Sequence, residues 1–155
     1  MLAFLVLMAL VSPVGAALTP ARADSFLRDF YAVYNATGAA KLADFYAADA
    51  TLADPSFDLD LHGSAEIGGL LVKVLAKYTA LHHEVLHRTI AGDDLIVEGM
   101  MIGELMGKTV RVRFVSVFHF RDGKIAEQRD LFDVLHFYEQ LGVVPPAFRA
   151  KTGQG

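Results

Sequence analysis

Apolar side chains in the first half of the chain recur every three or four positions. This spacing predicts three helices, over residues 24–38, 39–50 and 64–81. Asp24 or Ser25 is the expected N-cap of the first helix, and Ser64 is the expected N-cap of the third. Residues 51–55 are predicted to form a short strand that ends at Pro55, because proline has no N–H group to offer a sheet.

The second half of the chain alternates apolar and polar residues with a period of two. This alternation predicts four strands, over residues 82–91, 95–105, 109–120 and 124–132, joined by short turns that each contain glycine. A last helix is predicted from Asp133 to Gly142, with Asp133 interpreted as its N-cap. Helices followed by a four-strand antiparallel meander indicate the α+β class. We expect the N-terminal helices to pack on the concave face of a curved antiparallel sheet, which makes a cone with an apolar interior for a small molecule.

The composition narrows the possible functions. The chain has 155 residues, enough for one domain, and 54% of them are hydrophobic, enough for a packed core. A net charge of −4 argues against a nucleic-acid surface, which needs clustered basic residues. Cysteine is absent, so disulfides and thiolate metal sites are excluded. His83 and His87 would lie roughly 13 Å apart on a strand, too far to share an ion, and we predict neither a metal nor a cofactor.

Residues 1–23 have the pattern of a cleavable export signal. An apolar run precedes an A-x-A sequence that ends at Ala23, the form of a signal-peptidase site. The run is too short to span a bilayer as a helix. We expect cleavage after Ala23 and a periplasmic or secreted protein without membrane contact, in which 24–144 form the domain and 145–155 a flexible tail. A misplaced start codon or a docked N-terminal helix is the alternative, since no Lys or Arg precedes the apolar run.

Strand alternation also predicts which polar side chains face the interior of the cone. Over residues 109–120, the inward row is apolar except for Ser116, whose alternative role is that of a core serine bonded to backbone. Asp130 shares a face with Phe132 and would point into the cone. A surface ion pair of Asp130 with Arg129 or Arg113 fits the periodicity equally well.

Two further carboxylates share a strand face with apolar residues. Asp54 shares one with Leu52, and its alternative role is an Asx-turn into the following loop. Glu98 shares one with Met100, so the cone holds up to three carboxylates if that face is the inner one. Burying carboxylates is costly, and crowding them raises the pKa of at least one. A carboxyl with a raised pKa can move protons near neutral pH, which is the physical reason to expect chemistry here.

Two long stretches, residues 34–67 and 117–142, resemble the nuclear transport factor 2-like superfamily. The ending of the second stretch is most similar to the SnoaL-like polyketide-cyclase branch. Its sequence RDLFD also resembles limonene epoxide hydrolase, and YAADATLADP over 46–55 resembles ketosteroid isomerase. The resemblance implies a cone-shaped, cystatin-like roll. This fold hosts isomerases, cyclases, dehydratases, hydrolases and binding subunits, so it does not by itself specify the function.

The resemblance also assigns roles to particular residues. The general-base aspartate of the isomerase corresponds to Asp54, and the acid/base aspartate of the cyclase corresponds to Asp130. The oxyanion-hole acid of the isomerase and the histidine of the cyclase both correspond to Ser116, so neither group is present. Glu98 and Met100 take the places of an arginine and an aspartate that the epoxide hydrolase needs, which argues against epoxide hydrolysis by that mechanism.

The leading hypothesis is an exported SnoaL-like protein that binds a small hydrophobic molecule and acts on it without a cofactor. Asp130 would be the acid/base, Asp54 a second acid/base or orienting carboxylate, and Ser116 a hydrogen-bond donor to the substrate oxygen in an isomerisation, cyclisation or dehydration. The residues expected to bind the substrate are Tyr31, Tyr46, Glu98, Met100, Phe114 and Phe132. The alternatives are a non-catalytic periplasmic binding module for a hydrophobic ligand and a structural partner protein whose cone is filled.

The outward-facing residues of 109–120 are half apolar, with Val115 and Val117 between arginines and a histidine. In the superfamily that the chain resembles, this outer sheet face often forms a dimer. We therefore expect a homodimer through the outer face, with an ordinary solvated surface as the alternative.

Overall fold

The computed structural model describes residues 17–36 and 39–145 of the protein. Its helices are α1 (Pro20–Asn35), a 3₁₀ helix (Ala39–Phe45), α2 (Ser64–Leu75) and α3 (Val134–Leu141). Its strands are β1 (Tyr46–Asp54), β2 (Leu59–His62), β3 (Tyr78–Ala91), β4 (Asp94–Leu105), β5 (Lys108–Arg121) and β6 (Lys124–Phe132). Residues 1–16 of the predicted export signal and 146–155 of the predicted tail lie outside the described residues.

The strands form one curved, unclosed sheet in the order β2-β1-β6-β5-β4-β3. Strands β3 to β6 make the predicted antiparallel meander, and β2 pairs antiparallel with β1. Strand β1 lies parallel to β6, with Leu52 beside Gln128 and Ala53 beside Arg129. The α+β prediction is confirmed, and the parallel pairing brings the end of β1 next to the end of β6.

Two of the hairpin turns use backbone conformations that favour glycine. Met106 and Gly107 both have positive φ, at 54° and 72°, and Asp122 and Gly123 have φ of 54° and 77°. Positive φ at both central residues is the signature of the type I′ turn, whose twist matches that of the flanking strands. These turns fix the register of β4 on β5 and of β5 on β6.

Helix α1 closes the concave face of the sheet through aromatic packing. The ring of Phe26 lies 5.2 Å from that of Phe118 and 4.8 Å from that of Phe120, and Phe30 lies 5.3 Å from Phe45. Edge-to-face contacts of this kind add stability beyond the burial of area. Within 17–36 and 39–145, no helix combines the length and apolar character needed to cross a membrane.

The prediction of a helix over 39–50 is wrong in its second half. A 3₁₀ helix ends at Phe45, and Tyr46 starts strand β1, which is longer than the predicted 51–55. Tyr46 and Ala50 are buried, and β1 pairs with both β2 and β6. Tertiary pairing therefore overrides the helical preference of the alanines in this segment.

Other boundaries also differ from the prediction. Helix α2 ends at Leu75 rather than continuing to residue 81, because Tyr78 to Leu81 already pair with β4. Residues 59–62, which no predicted helix or strand covers, form the edge strand β2. The N-cap of α2 is Gly63, without a side-chain bond, and Ser64 is the first helical residue.

Helix α1 begins four residues earlier than predicted, at Pro20. The N-cap is Thr19, whose side-chain oxygen accepts a hydrogen bond from the Arg22 backbone N–H at 3.3 Å, and proline is favoured at the first helical position. Ala23 is fully buried, so this first turn belongs to the folded domain. The predicted cap at α3 is confirmed, since Asp133 accepts from the His136 backbone N–H at 3.1 Å.

Candidate functional site

Three polar side chains predicted from the sequence lie in one row across neighbouring strands. Ser116 on β5 is directly opposite Asp130 on β6. Asp54 on β1 follows Ala53, which pairs with Arg129, so Asp54 and Asp130 are side by side. Asp54 and Ser116 are only 4% and 5% exposed. The structure therefore brings together the three residues that were predicted to carry the chemistry.

The Asp130 carboxyl lies at the centre of this row. Its Oδ2 accepts a hydrogen bond from Gln128 Nε2 at 2.7 Å. Its Oδ1 is buried and makes no hydrogen bond of ordinary geometry to any residue that the structure describes. Burial raises the pKa of Asp130 to about 7; the Ser116 hydroxyl and the Gln128 amide oppose this rise, and the charge of Asp54 adds to it. Near neutral pH, both the protonated and the ionised form of Asp130 are therefore populated.

Asp54 is both buried and engaged in an Asx-turn. Its Oδ1 accepts a hydrogen bond from the Ser56 backbone N–H at 2.9 Å. Burial raises its pKa, and hydrogen bonds from Ser56 and from the Phe57 backbone hold the rise back. The two roles considered for this residue are thus compatible, and Asp54 is a turn residue that also faces the interior.

Three tyrosines of the cone surround Asp130. The Tyr46 hydroxyl donates to Gln128 Oε1 at 2.5 Å, which links it to the carboxyl through the amide. Burial and then the charge of Asp130 raise the pKa values of Tyr31, Tyr34 and Tyr46, so all three stay neutral. The site therefore contains neutral phenol groups around the Asp130 carboxyl.

A neutral histidine lies on the α1 side of the site. His83 Nδ1 lies 2.8 Å from Asn35 Oδ1, which also accepts from the His83 backbone N–H at 2.9 Å. The His83 ring stacks on Tyr31 at 5.3 Å. Burial, and to a smaller extent the nearby His82, lower the pKa of His83 to about 3. Because Asn35 occupies Nδ1 as an acceptor, Nδ1 carries the proton.

Aromatic rings form the wall beyond Asp130. Phe132, two residues after Asp130, lies 5.8 Å from Phe114 and 5.9 Å from Phe57, and Phe57 lies 6.0 Å from Phe137 of α3. The Ser56 hydroxyl accepts from the Phe132 backbone N–H at 3.0 Å and joins this wall to the turn after β1. An apolar surface next to a few polar groups is the usual composition of a small-molecule site.

Two of the residues assigned to substrate binding lie on the opposite face of the sheet. Glu98 and Met100 point to the convex side, and Glu98 forms an ion pair with Arg113. The concave residues of β4 are Leu95, Val97, Gly99, Met101 and Gly103, all buried. The assignment of Glu98 and Met100 to the site is therefore wrong, because the alternation of β4 places the other set inward. Of the three carboxylates considered for the cone, Asp54 and Asp130 face the interior and Glu98 does not.

Two cavities lie beside α1. One, of about 800 Å³, lies at the N-terminal end of the helix and is lined by charged residues including Arg22, Asp93 and Arg121. The other, of about 530 Å³, lies between α1 and β3 and is lined in part by Tyr31 and His83. Of these two, the second lies nearer the carboxylate row, because Tyr31 interacts with Ser116 and Asp130, but neither cavity is lined by Asp54, Ser116 or Asp130. Across 17–36 and 39–145, no group of three or more histidine, aspartate or glutamate side chains is placed to hold a metal ion.

Sequence reasoning missed three residues of the site. Gln128 shares a strand face with Asp130, so the alternation along β6 could have placed it in the site. Tyr34 lies one helical turn after Tyr31, a spacing that indicates a common face. His83 and its partner Asn35 are far apart in sequence and carried no local signal.

Comparison with known proteins agrees with this fold. The model of the SnoaL-like domain family matches residues 27–128. A protein from Catenulispora acidiphila DSM 44928 with a ketosteroid isomerase-like fold, solved in complex with trimethylamine, superposes with a TM-score of 0.70 and 21% identity over 81% of this chain and 95% of its own. A candidate SnoaL-like polyketide cyclase from Shewanella denitrificans OS-217 gives 0.72 and 16% identity over 81% and 100%.

An LEH-like epoxide hydrolase from M. tuberculosis also shares the fold, with a TM-score of 0.67 and 18% identity over 79% of this chain and 91% of its own. No curated protein matches the chain. Identities this low show a common fold and leave the activity open. The family match spans most of the described chain and includes Asp54, Ser116 and Gln128, and on that match the chain belongs to the SnoaL-like domain family.

Proposed function

We propose that this protein is a cofactor-independent acid/base catalyst acting on a small hydrophobic carbonyl compound. The observation that carries the proposal is the buried Asp130 carboxyl with a pKa near 7 in a row with Asp54 and Ser116. A group that titrates near neutral pH can both give and take a proton at useful rates. Isomerisation, cyclisation and dehydration next to a carbonyl all need such a proton shuttle.

Each polar residue has a distinct part in this proposal. Asp130 moves the proton between two positions of the substrate. Asp54 is the second carboxylate, and its charge raises the pKa of Asp130. It either orients the substrate or accepts a second proton. The Ser116 hydroxyl, which faces the Asp130 carboxyl in the free protein, turns to donate its hydrogen bond to the substrate oxygen, and Phe114 and Phe132 contact the apolar part of the substrate. Tyr31, beside Ser116, offers a second donor to the same oxygen.

The experiment measures proton transfer at carbon. Cyclohexanone in heavy water exchanges its α-protons, and a β,γ-unsaturated cyclic ketone becomes conjugated and absorbs in the ultraviolet, so both reactions can be followed directly. We expect catalysis by the wild type and a loss on the order of 100-fold in Asp130→Asn. The matched control is Asp122→Asn in an exposed turn, which should leave the rate unchanged. Equal rates in wild type and Asp130→Asn would contradict the proposal.

The second candidate function is non-catalytic binding of a hydrophobic ligand. It is favoured by the rings of Tyr31, Tyr34, His83 and Phe114, which contact one another beside the carboxyls, and by the trimethylamine held by the Catenulispora relative. Aromatic faces next to a carboxylate attract a small apolar cation. Calorimetric titration with trimethylamine and with cyclohexanone separates the two candidates. Binding without turnover, weakened only modestly in Asp130→Asn, is the outcome that this second function predicts.

We propose, in addition, that the protein is exported to the periplasm or secreted. The support is the apolar run and the A-x-A sequence ending at Ala23. Cleavage after Ala23 would remove Thr19 and the first turn of α1, so the position of the cut matters for the fold. N-terminal sequencing of the protein from the extracellular or periplasmic fraction gives that position. Recovery of the full chain from the cytoplasm alone would exclude export.

A further inference from the structure

We infer that Gln128 and Tyr46 are positioning residues, which hold the Asp130 carboxyl so that Oδ2 faces Gln128 and Oδ1 faces the ligand. The inference deepens the proposed function and rests on it. Its basis is a chain of two hydrogen bonds, from the Tyr46 hydroxyl to Gln128 Oε1 at 2.5 Å and from Gln128 Nε2 to Asp130 Oδ2 at 2.7 Å. Both Gln128 and Tyr46 are only 4% exposed.

The direction of this chain follows from the chemistry of its groups. The Tyr46 phenol donates its proton to the amide oxygen of Gln128, which leaves the amide nitrogen facing Asp130. The nitrogen can only donate, so the oxygen that it contacts, Oδ2, is held as an acceptor. A proton on Oδ2 would face an N–H group instead of an acceptor. The acid form of Asp130 therefore carries its proton on Oδ1.

The environment of Oδ1 indicates the class of ligand. Oδ1 is buried and makes no hydrogen bond of ordinary geometry to the described residues, although the Ser116 hydroxyl opposite it on β5 interacts with the same carboxyl. A buried polar atom with incomplete hydrogen bonding is costly, and a ligand that completes it recovers that cost. The ligand therefore carries a polar group, such as a carbonyl with acidic hydrogens on the next carbon, beside an apolar body against Phe114 and Phe132.

The proton step that follows is balanced within the site. In the base form, Oδ1 takes a proton from the carbon next to the ligand carbonyl: the C–H bond breaks, an O–H bond forms at Oδ1, and the C–H electron pair moves into the enolate. The Gln128 N–H group holds Oδ2 as an acceptor throughout, so the proton goes to Oδ1. Return of the proton to the enolate restores the carboxylate. No oxidant, reductant or further reactant is consumed.

Several other groups face Asp130 and take part in its titration. Asp54 faces it from β1, Tyr31 and Tyr34 from α1, Tyr46 from the start of β1, and Ser116 from β5. The tyrosines remain neutral, so Asp54 is the other group in this set that changes charge over the acidic and neutral range. Variants that leave Asp54 in place therefore isolate the contribution of the Tyr46–Gln128 pair.

The test is a titration of the Asp130 carboxyl carbon by NMR in wild type, Tyr46→Phe and Gln128→Leu. Gln128→Leu removes the donor to Oδ2. Tyr46→Phe removes one oxygen and lets the amide turn its own oxygen toward the acid form. Both changes favour the protonated carboxyl, so we expect the pKa of Asp130 to rise by about 1 in each. The controls Tyr138→Phe and Gln140→Leu on α3 should leave it unchanged.

A purely structural role would lower stability without moving this pKa. If Gln128→Leu does not fold, Tyr46→Phe keeps the ring and tests the same chain. An unchanged Asp130 pKa in Tyr46→Phe overturns the inference, even if the wild type catalyses cyclohexanone exchange and Asp130→Asn does not. A raised pKa in a protein that catalyses no exchange supports the positioning role and excludes the acid/base function instead.

Discussion

At the scale of single residues, the pKa values of Asp130 and His83 are shifted in opposite directions from their ordinary values. Burial raises the pKa of Asp130 from 3.8 to about 7 and lowers that of His83 from 6.5 to about 3. Both shifts have the same cause, since burial disfavours the charged form of either group. Folding therefore changes proton binding at both sites.

The two groups make opposite contributions to stability. The unfolded chain protonates His83 below pH 6.5 while the folded protein does not, so the contribution of His83 is present above pH 6.5 and is lost as pH falls toward 3. The folded protein keeps Asp130 protonated where the unfolded chain does not, so its contribution is present below pH 3.8 and is lost as pH rises toward 7. Between pH 3.8 and 6.5, the contributions of the two groups to the pH dependence of the free energy of unfolding are opposite in sign and cancel.

The first prediction follows from this cancellation. The Asp130→Asn variant lacks the group that binds an extra proton on folding, so the pH dependence of stability that comes from His83 is no longer cancelled. The free energy of unfolding of the variant, relative to wild type, should rise with pH by on the order of 1 kcal/mol per pH unit between pH 4.5 and 6.5. Urea unfolding at several pH values measures it, with Asp122→Asn as control. Parallel curves for Asp130→Asn and wild type would show that Asp130 has no raised pKa.

The second prediction concerns Met106, which has φ of 54° and is 78% exposed. A left-handed backbone is unfavourable for most side chains and is tolerated by asparagine, and Asn-Gly is the preferred pair for a type I′ turn. Met106→Asn should therefore raise the free energy of unfolding by about 0.5–1 kcal/mol. Thermal unfolding measures this change, and the control Met106→Leu should not raise the free energy of unfolding. A lower stability in Met106→Asn would mean that the methionine makes a contact in solution.

At the scale of elements, strand β4 depends on a glycine that faces the interior. A Cβ at Gly99 would meet the Phe114 ring at 2.3 Å and the Glu84 carbonyl oxygen at 2.8 Å. The ring of Phe114 thus lies where any side chain of residue 99 would project. This close approach sets the position of the aromatic wall beside Asp130.

The third prediction uses this contact. Gly99→Ala should lower the free energy of unfolding by about 1–3 kcal/mol, because the added methyl group displaces Phe114. Gly69→Ala is the matched control, since nothing lies within 4 Å of its Cβ and helix α2 gains from alanine. Urea unfolding of the two variants should therefore give changes of opposite sign. A neutral Gly99→Ala would place the Phe114 ring elsewhere.

At the scale of the whole molecule, the start of α1 closes one end of the cone. Thr19 caps the helix, and Ala23 has no exposed surface. The fourth prediction is that a chain starting at Asp24 has a free energy of unfolding about 1–2 kcal/mol below that of a chain starting at Leu18. Thermal and urea unfolding compare the two. Equal stabilities would show that the first turn of α1 contributes nothing and that cleavage after Ala23 is compatible with the fold.

The convex face of the sheet is the second feature at this scale. Ile96 pairs with Val117 and Val115 pairs with Leu131, and this patch includes side chains that are 36% (Ile96) and 55% (Leu131) exposed. The polar side chains next to it are already paired, Arg113 with Glu98 and His119 with Asp94. We propose that two copies of the chain associate through this patch, as the alternation of β5 suggested.

The fifth prediction is that Val117→Glu yields a monomer because it places a charge in the patch. Light scattering after size exclusion measures the mass. Val72→Glu, at an exposed site on α2, is the control and should leave the mass unchanged. A monomeric wild type at micromolar concentration would make the convex face an ordinary solvated surface.

The sequence by itself determined the parts of this protein that depend on near neighbours. The inward row of β5 with Ser116, the glycine turns and the Asp133 cap all follow from alternation or from local hydrogen bonds. The facing of Asp130 was left open, because a surface ion pair fitted the periodicity of β6 equally well. The facing of β4 was left open, because apolar residues occupy both of its faces. Only the paired strands decided that Glu98 and Met100 are convex.

The tertiary structure decided everything that depends on residues distant in sequence. The parallel pairing of β1 with β6 places Asp54 beside Asp130, and it turns a segment with helical preference into strand. The same pairing brings Tyr46 to Gln128, 82 positions later in the chain. Burial, and with it the pKa of Asp130, exists only once α1 covers the sheet, because desolvation depends on all surrounding elements and not on any local pattern.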